Sequence, residues 1–296
     1  MHPGRREAAQ SPRIAIATCD RFPDLTPDDA LLARALGGLG IEAVPVVWNA
    51  APVEWEAFDG CLLRSVWDYH LWHGDFLAWA GQVAAAVPLW NPLELVAWNA
   101  DKRYLRELAQ RGVPTIPTHW LQRGTEAVLA DLLAERGWER AILKPAIDLG
   151  AKNLRRTSAG DGAGQAALEE LLETHDVMVQ PFLSSLETRG ELSLVYLGGA
   201  FSHAVRKRAK EGDFRVQANW GGSSSPARPD GADLEVARTA LDSLEEMPLY
   251  ARVDLVEGAA GERYLIELEL IDPNLFFGEH PAEAGTLAAA LAASLR

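Results

Sequence analysis

The stretch from Tyr250 to Asn274, YARVDLVEGAAGERYLIELELIDPN, reads as two strands, Arg252 to Val256 and Tyr264 to Ile271, joined by a turn containing Gly and Ala. Side chains alternate faces along a strand, so Arg252 and Asp254 share one face, as do Glu267 and Glu269, while Val253, Leu255, Ile266 and Leu268 take the other. A turn that pairs Glu257 near Glu262 sets Val253 opposite Ile266 and leaves Asp254 diagonal to Glu267. Three carboxylates then crowd one face of one hairpin. Like charges across a sheet repel, so a cation is expected among them, and strand carboxylates with open positions suit Mg²⁺ shared with phosphates. The competing reading is an ordinary solvated antiparallel face with Arg252 as the ion-pair partner.

Upstream, ELSLVYLGGAFSHAVRKR forms a second hairpin, Glu191 to Leu197 and Ala200 to Arg206, turned at Gly198-Gly199. It delivers Lys207, and AKEGDFRVQANWGG adds Arg215 and Asn219; cations beside a metal site hold transferring phosphate, although a charged surface is the plain alternative. Before that hairpin the order is a helix containing Lys102 and capped by Asn99 or Asp101, a helix from Glu126 to Arg136, the strand ERAILKP with Lys144, the basic loop AIDLGAKNLRR, a helix from about Gly164 to Thr174, and the strand Asp176 to Gln180. Two lysines at the starts of elements plus a mobile loop are what a small lobe needs to fold over a triphosphate.

The chain opens on the strand RIAIAT, Arg13 to Thr18, then a helix with Thr26 as N-cap and Pro27 at its first position, then strands from Ile41 to Trp48 and from Phe58 to Leu63. Strand, helix, strand at this spacing is a parallel α/β lobe. The segment RSVWDYHLWHGDF follows the third strand, where open α/β sheets bind ligands. Arg64 there can grip a carboxylate, Asp68 an ammonium, and Ser65, Trp67 and Tyr69 can wall a small site; the alternative is a surface loop packed by its own aromatics.

Composition narrows the classes. The 296 residues suffice for two or three lobes, and a formal net charge of −14 argues against a nucleic-acid or membrane-surface partner. Cys19 and Cys61 lack metal-ligand spacing, which fits a reduced, cytoplasmic setting. MHPGRREAAQSP reads as a disordered lead-in over residues 1–12, with neither a signal peptide nor a membrane span.

In order and spacing, residue 13 to the end resembles the ATP-grasp superfamily of carboxylate–amine ligases. The resemblance rests on RVD at 252–254 with ELE at 267–269, on Lys144 in LKP, and on VQPF at 179–182. AKEGDFR is similar to the glutamate-adding branch, whereas RSVWDYH with LIELELIDPNLF looks most like the branch that includes the D-cycloserine-forming cyclo-ligase. Two departures stand out: Glu269 where the family commonly has Asn, and a lid segment, IDLGAKNL, with few Gly and Ser.

The resemblance implies an α/β, ATP-grasp fold: a parallel pre-ATP-grasp lobe at 13–98, a small lobe at 99–183 and a large lobe at 184–296, clasping ATP. It implies that Lys102 and Lys144 bind phosphates, with Lys144 also facing adenine. The backbone of Gln180, Pro181 and Phe182 would hold the adenine edge and Glu187 the ribose. Asp254, Glu267 and Glu269 would hold two Mg²⁺, with Mn²⁺ as a substitute and Asp272 or Asn274 as alternative ligands. Arg252, Lys207 and Arg215 would face the reacting acyl phosphate. The expected partners are ATP and a small amino-acid-like substrate, in a cytoplasmic homodimer. The expected chemistry is ATP-dependent activation of a carboxylate for attack by an amine-type nitrogen, within one molecule or between two. A non-catalytic nucleotide-binding regulator and a hydrolase using Asp254 and Glu267 as acid and base are the competing classes.

Overall fold

The structure, a computed structural model, describes residues 11–50 and 52–295. All but the last two residues of the expected lead-in lie outside them. The first sheet is parallel, in the order β2 (Glu42–Val47), β1 (Arg13–Thr18), β3 (Gly60–Ser65), β4 (Leu89–Trp90). Its helices are α1 (Pro27–Gly38) and α2 (His73–Ala86). Thr26 caps α1 as expected, its hydroxyl accepting the Asp29 N–H at 3.1 Å.

Two short helices, α3 (Leu93–Asn99) and α4 (Tyr104–Gln110), lead into an antiparallel sheet ordered β5 (His119–Leu121), β8 (Val177–Pro181), β6 (Arg140–Pro145), β7 (Arg155–Ser158), covered by α5 (Leu129–Arg136) and α6 (Gly162–Thr174). After the single-turn α7 (Ser185–Thr188) comes a five-stranded antiparallel sheet. Its order is β11 (Ser223–Ala227), β10 (Ala200–Arg208), β9 (Glu191–Leu197), β12 (Tyr250–Glu257), β13 (Arg263–Glu269). Helix α8 (Gly231–Asp242) covers one face through Val236, Ala240 and Leu241, and α9 (Glu283–Ser294) packs with α1 against the other.

Several local expectations are corrected. Strand β3 runs on to Ser65, so Arg64 and Ser65 are not loop residues: Asp29 neutralises the guanidinium and makes a buried strand position tolerable for it. Lys102 precedes α4 instead of lying within it, and Asn99 ends α3 instead of capping a helix. β7 and β11 pair from polar stretches, RRTS and SSSPA, that carry no apolar alternation. In the acidic hairpin the turn pairs Glu257 with Arg263 instead of Glu262, and a bulge between Asp254 and Leu255 shifts the register once more, so Val253 lies opposite Leu268 and Asp254 directly opposite Glu267, not diagonal to it. The face is also not solvated, since Asp254 is only 2% exposed.

Buried side-chain amides join the first sheet to the hairpin. Asn99 bridges the Leu268 carbonyl (2.7 Å) and the Leu270 N–H (2.9 Å) along the free edge of β13, and the Tyr104 hydroxyl accepts the Leu268 N–H. Asn91 donates to the carbonyls of Tyr250 and Leu270, and the Tyr250 hydroxyl reaches those of Leu63 and Ile271. Arg64 ties Asp29 (2.8 Å) to the Pro273 carbonyl (2.9 Å). Asp29→Ala would leave this guanidinium buried without its counter-charge, so unfolding in denaturant should show a loss of about 3–5 kcal/mol. A loss below 1 kcal/mol would show that the pair is dispensable.

Candidate active site

Alternation on four adjacent strands puts one charged layer on the sheet face away from α8. β12 supplies Arg252 and Asp254, β9 supplies Glu191 and Ser193, β10 supplies Lys207, and β13 supplies Glu267 and Glu269. Asp254 is the hub: Arg252 Nη2 lies at 2.9 Å, Lys207 Nζ at 3.0 Å, and the Ser193 hydroxyl donates at 2.5 Å. Arg252 also pairs with Glu269 and donates to the Asn274 carbonyl, while Lys207 pairs with Glu191. Lys102 Nζ stands 3.0 Å from Glu267 and donates to the Asp148 carbonyl at 2.5 Å. Oxygens of Asp254, Glu267 and Glu269 all lie within 4.8 Å of one another.

Burial disfavours the ionised form of Asp254, yet Arg252 and Lys207 hold its carboxyl well below the usual range. Glu267 is likewise held low, against burial, by Lys102 and Lys144. Burial pushes Glu269 up to about 7 against the pull of Arg252, with Asp254 and Glu267 adding repulsion. It pushes Glu191 up to about 8. Lys144, on β6, makes no salt bridge among the described residues, and burial lowers it to about 8. Three clustered carboxylates with only oxygen donors form a hard ligand set that fits Mg²⁺.

The remaining expected residues divide. Gln180 is buried and donates to the Thr118 hydroxyl at 2.8 Å. The Phe182 ring lies under the guanidiniums of Arg140 and Arg156, and its N–H already donates to the Arg140 carbonyl, so that amide is not free for an adenine edge. Pro181 has no N–H to offer. Glu187 pairs with Arg156 at 2.5 Å. Arg215 is held by Asp213 at 2.8 Å and lies over the Trp220 ring, 3.5 Å from its centroid, apart from the carboxylate layer; Trp220 in turn donates to the Gly150 carbonyl, joining two loops. Tyr69 and Asp272 line a small cavity with Asn99, Lys102, Glu267 and Glu269. Asp68 instead accepts the Trp48 indole N–H, and Asn274 Oδ1 accepts the Phe276 N–H. Glu191, Ser193 and Asp148 were missed. Extending the face alternation of β12 to β9 would have found the first two, because they flank Asp254 across the ladder.

Fold and site define an ATP-dependent, ADP-forming ligase of the ATP-grasp class, using ATP and Mg²⁺ on a small-molecule substrate. The chain belongs to the family described as prokaryotic glutathione synthetase, ATP-grasp domain, whose model matches residues 115–275, and residues 14–91 match the model described as D-cycloserine synthetase DcsG, N-terminal domain. It is 33% identical over 269 residues to the cycloserine biosynthesis protein DcsG of Streptomyces lavendulae, covering 85% of this chain and 89% of that protein. The crystal structure of D-cycloserine synthetase DcsG superposes with a TM-score of 0.86 at 29% identity, over 96% of this chain and 100% of that one. D-alanine–D-alanine ligase from Bacillus anthracis shares the fold (TM-score 0.69, 14% identity, 96% of this chain and 97% of that one). No helix among the described residues is long and apolar enough to cross a membrane.

A buried lysine lowered to about 8 is neutral above that pH, and a phosphate placed beside it would restore its charge. ATP binding at pH 9 should therefore take up a proton at Lys144, approaching roughly one per site. Calorimetry in buffers of different ionisation enthalpy measures this; uptake should vanish at pH 7 and in Lys144→Met. Equal uptake in that variant would assign the proton elsewhere.

Proposed function

We propose that the chain phosphorylates the carboxylate of a compact amino-acid-like substrate and closes it into a ring by attack of its own aminooxy-type nitrogen, as in formation of D-cycloserine from O-ureido-D-serine. The observation that carries this reading is that similarity to DcsG extends over both the N-terminal lobe and the nucleotide-binding lobes.

In this reading Lys102 and Lys144 bind the triphosphate, Gln180 and the carbonyls beside Pro181 and Phe182 face adenine, and Glu187 holds the ribose. Asp254, Glu267 and Glu269 would hold two Mg²⁺, or Mn²⁺ in their place, and would thereby supply positive charge to a transferring phosphoryl group. The ion pairs are arranged for partner exchange. Lys102 leaves Glu267 and Arg252 leaves Glu269 for phosphate oxygens, so every charge in this buried layer stays compensated as ligands enter. Arg252 and Lys207 then face the acyl phosphate, and Arg215 acts from the loop that meets Gly150. A carboxylate is inert to amines, so phosphorylation supplies the leaving group: the ureido nitrogen attacks the carbonyl carbon, phosphate departs and the nitrogen gives up its proton, and water then removes the carbamoyl group from that nitrogen as carbon dioxide and ammonia to leave D-cycloserine. An internal nucleophile avoids the entropy of capturing a second molecule.

For the substrate, Tyr69 and Asp272 form the cavity wall, and Asp272 Oδ2 is buried with no hydrogen-bond partner among the described residues. Arg64 Nη1 is in the same condition; Arg64 and Ser65 are held by Asp29, and Asp68 by Trp48, on the strand and loop that lead to Tyr69. A homodimer in the cytoplasm completes the reading, consistent with two buried free cysteines. A hydrolytic acid–base pair is disfavoured, because Asp254 and Glu267 are both held ionised and neither is poised to donate a proton.

Mass spectrometry with O-ureido-D-serine, ATP and Mg²⁺ should find a cyclised product no heavier than the substrate; a heavier condensation product that requires a second amine would replace the cyclo-ligase reading with an intermolecular one. Glu267→Gln should fold normally yet lower ADP release by about 100-fold or more. Near-normal turnover would remove Glu267 from the metal site.

A further inference from the structure

The face of the five-stranded sheet opposite the carboxylate layer carries a second concave site. It opens beside the N-terminal end of α8, has a volume of about 360 Å³, and is floored by Leu192 and Leu255. Its walls are rich in arginine, in a chain whose net charge is −14.

Some of those arginines are neutralised in place. Arg263 pairs with Asp230 (2.9 Å) and Asp233 (2.7 Å), and Arg189 pairs with Glu257. Three others, Arg206, Arg208 and Arg228, form no salt bridge among the described residues. Arg206 and Arg208 project from one face of β10, about 7 Å apart along the strand. Their cross-strand neighbours are Ser225 and Leu192 for the first and Ser223 for the second, none of which supplies a charge. What holds these two guanidiniums is backbone: Arg206 Nη1 donates to the Arg189 carbonyl at 3.4 Å and Arg208 Nη1 to the Thr188 carbonyl at 3.2 Å. Most of their N–H donors thus remain open. Burial depresses the Arg206 guanidinium; Asp233 and Glu257 act against this from the pocket wall, while the nearby Arg208 and Arg189 charges add to it.

We propose that this pocket is an anion-binding site for a small polyanion bearing phosphate or carboxylate groups, held by Arg206, Arg208 and Arg228. Guanidinium forks match the planar, bidentate geometry of such groups, and the apolar floor keeps competing water low. The site is separate from the nucleotide site yet shares its strands. Arg206 precedes Lys207, Leu192 sits between Glu191 and Ser193, and Leu255 follows Asp254, so a ligand here lies one sheet thickness behind the carboxylate layer.

The test is calorimetric titration of pyrophosphate, and separately of citrate, into the full chain without divalent metal, at ionic strength fixed with chloride. Two classes of pyrophosphate site are expected, because the Lys102 and Lys144 region binds phosphate as well. Arg208→Gln/Arg228→Gln, at two exposed positions that leave the core untouched, should weaken one class tenfold or more and leave the other unchanged. Lys144→Ala should do the reverse. Arg238→Gln, an exposed arginine outside the pocket, serves as the control for net charge. Retention of citrate by the same site assigns carboxylate ligands as well, and its failure narrows the class to phosphates. Unchanged pyrophosphate affinities in the double variant, or an equal loss in Arg238→Gln, would overturn the proposal.

Discussion

The structure depends on one electrostatic constraint: the charges on the inner strands of the five-stranded sheet have left water and must neutralise one another. Asp254 at 2% exposure and Arg252 and Lys207 at 7% would each be costly alone. Arranged as a hub with Glu191 and Glu269, they form a layer in which each cation touches two carboxylates. Replacing the layer with apolar residues would favour stability, so its presence marks a surface kept for ligands that themselves carry charge.

That constraint explains the shape of the molecule around it. The layer needs a roof of the same polarity, which Lys144 on β6 and Lys102 beside α4 provide from the antiparallel sheet and the linking helices. It also needs a rigid floor, and α8 supplies one by burying Val236, Ala240 and Leu241 against the alternate residues of the same strands. One strand such as β12 therefore serves two opposed environments with a period of two, and the sequence RVDLVE shows both.

Much of this was legible before the structure. Alternation in 250–274 identified the carboxylates, and strong punctuation placed Thr26, Gly198-Gly199 and the strand Arg13–Thr18. The failures share a cause: side chains acting across long sequence separation. Arg64 reads as a loop residue until Asp29, thirty-five positions away, is known to neutralise it. Asn99 reads as a helix cap until its amide is seen along β13. The register differs by two residues because the turn pairs Glu257 with Arg263, one beyond Glu262, and a bulge at Ile266, which has no compositional mark, adds the second.

The amides of Asn91 and Asn99 have a consequence for dissection of the chain. Strand β13 is the edge of its sheet; around Leu268 and Leu270 its outward N–H and C=O groups are satisfied by side chains from residues 91–104, and the Leu265 N–H by the Pro114 carbonyl, in place of another full strand. A polypeptide begun at residue 115, where the match to the ATP-grasp domain begins, would keep every strand of the nucleotide-binding sheets. It would lose the cover of that edge and present bare hydrogen-bonding groups to any neighbour able to pair with them. The boundary drawn by sequence similarity is thus not a boundary of self-sufficiency: the segment from Asn91 to Tyr104 that precedes it also acts as a permanent internal guard against strand-to-strand aggregation.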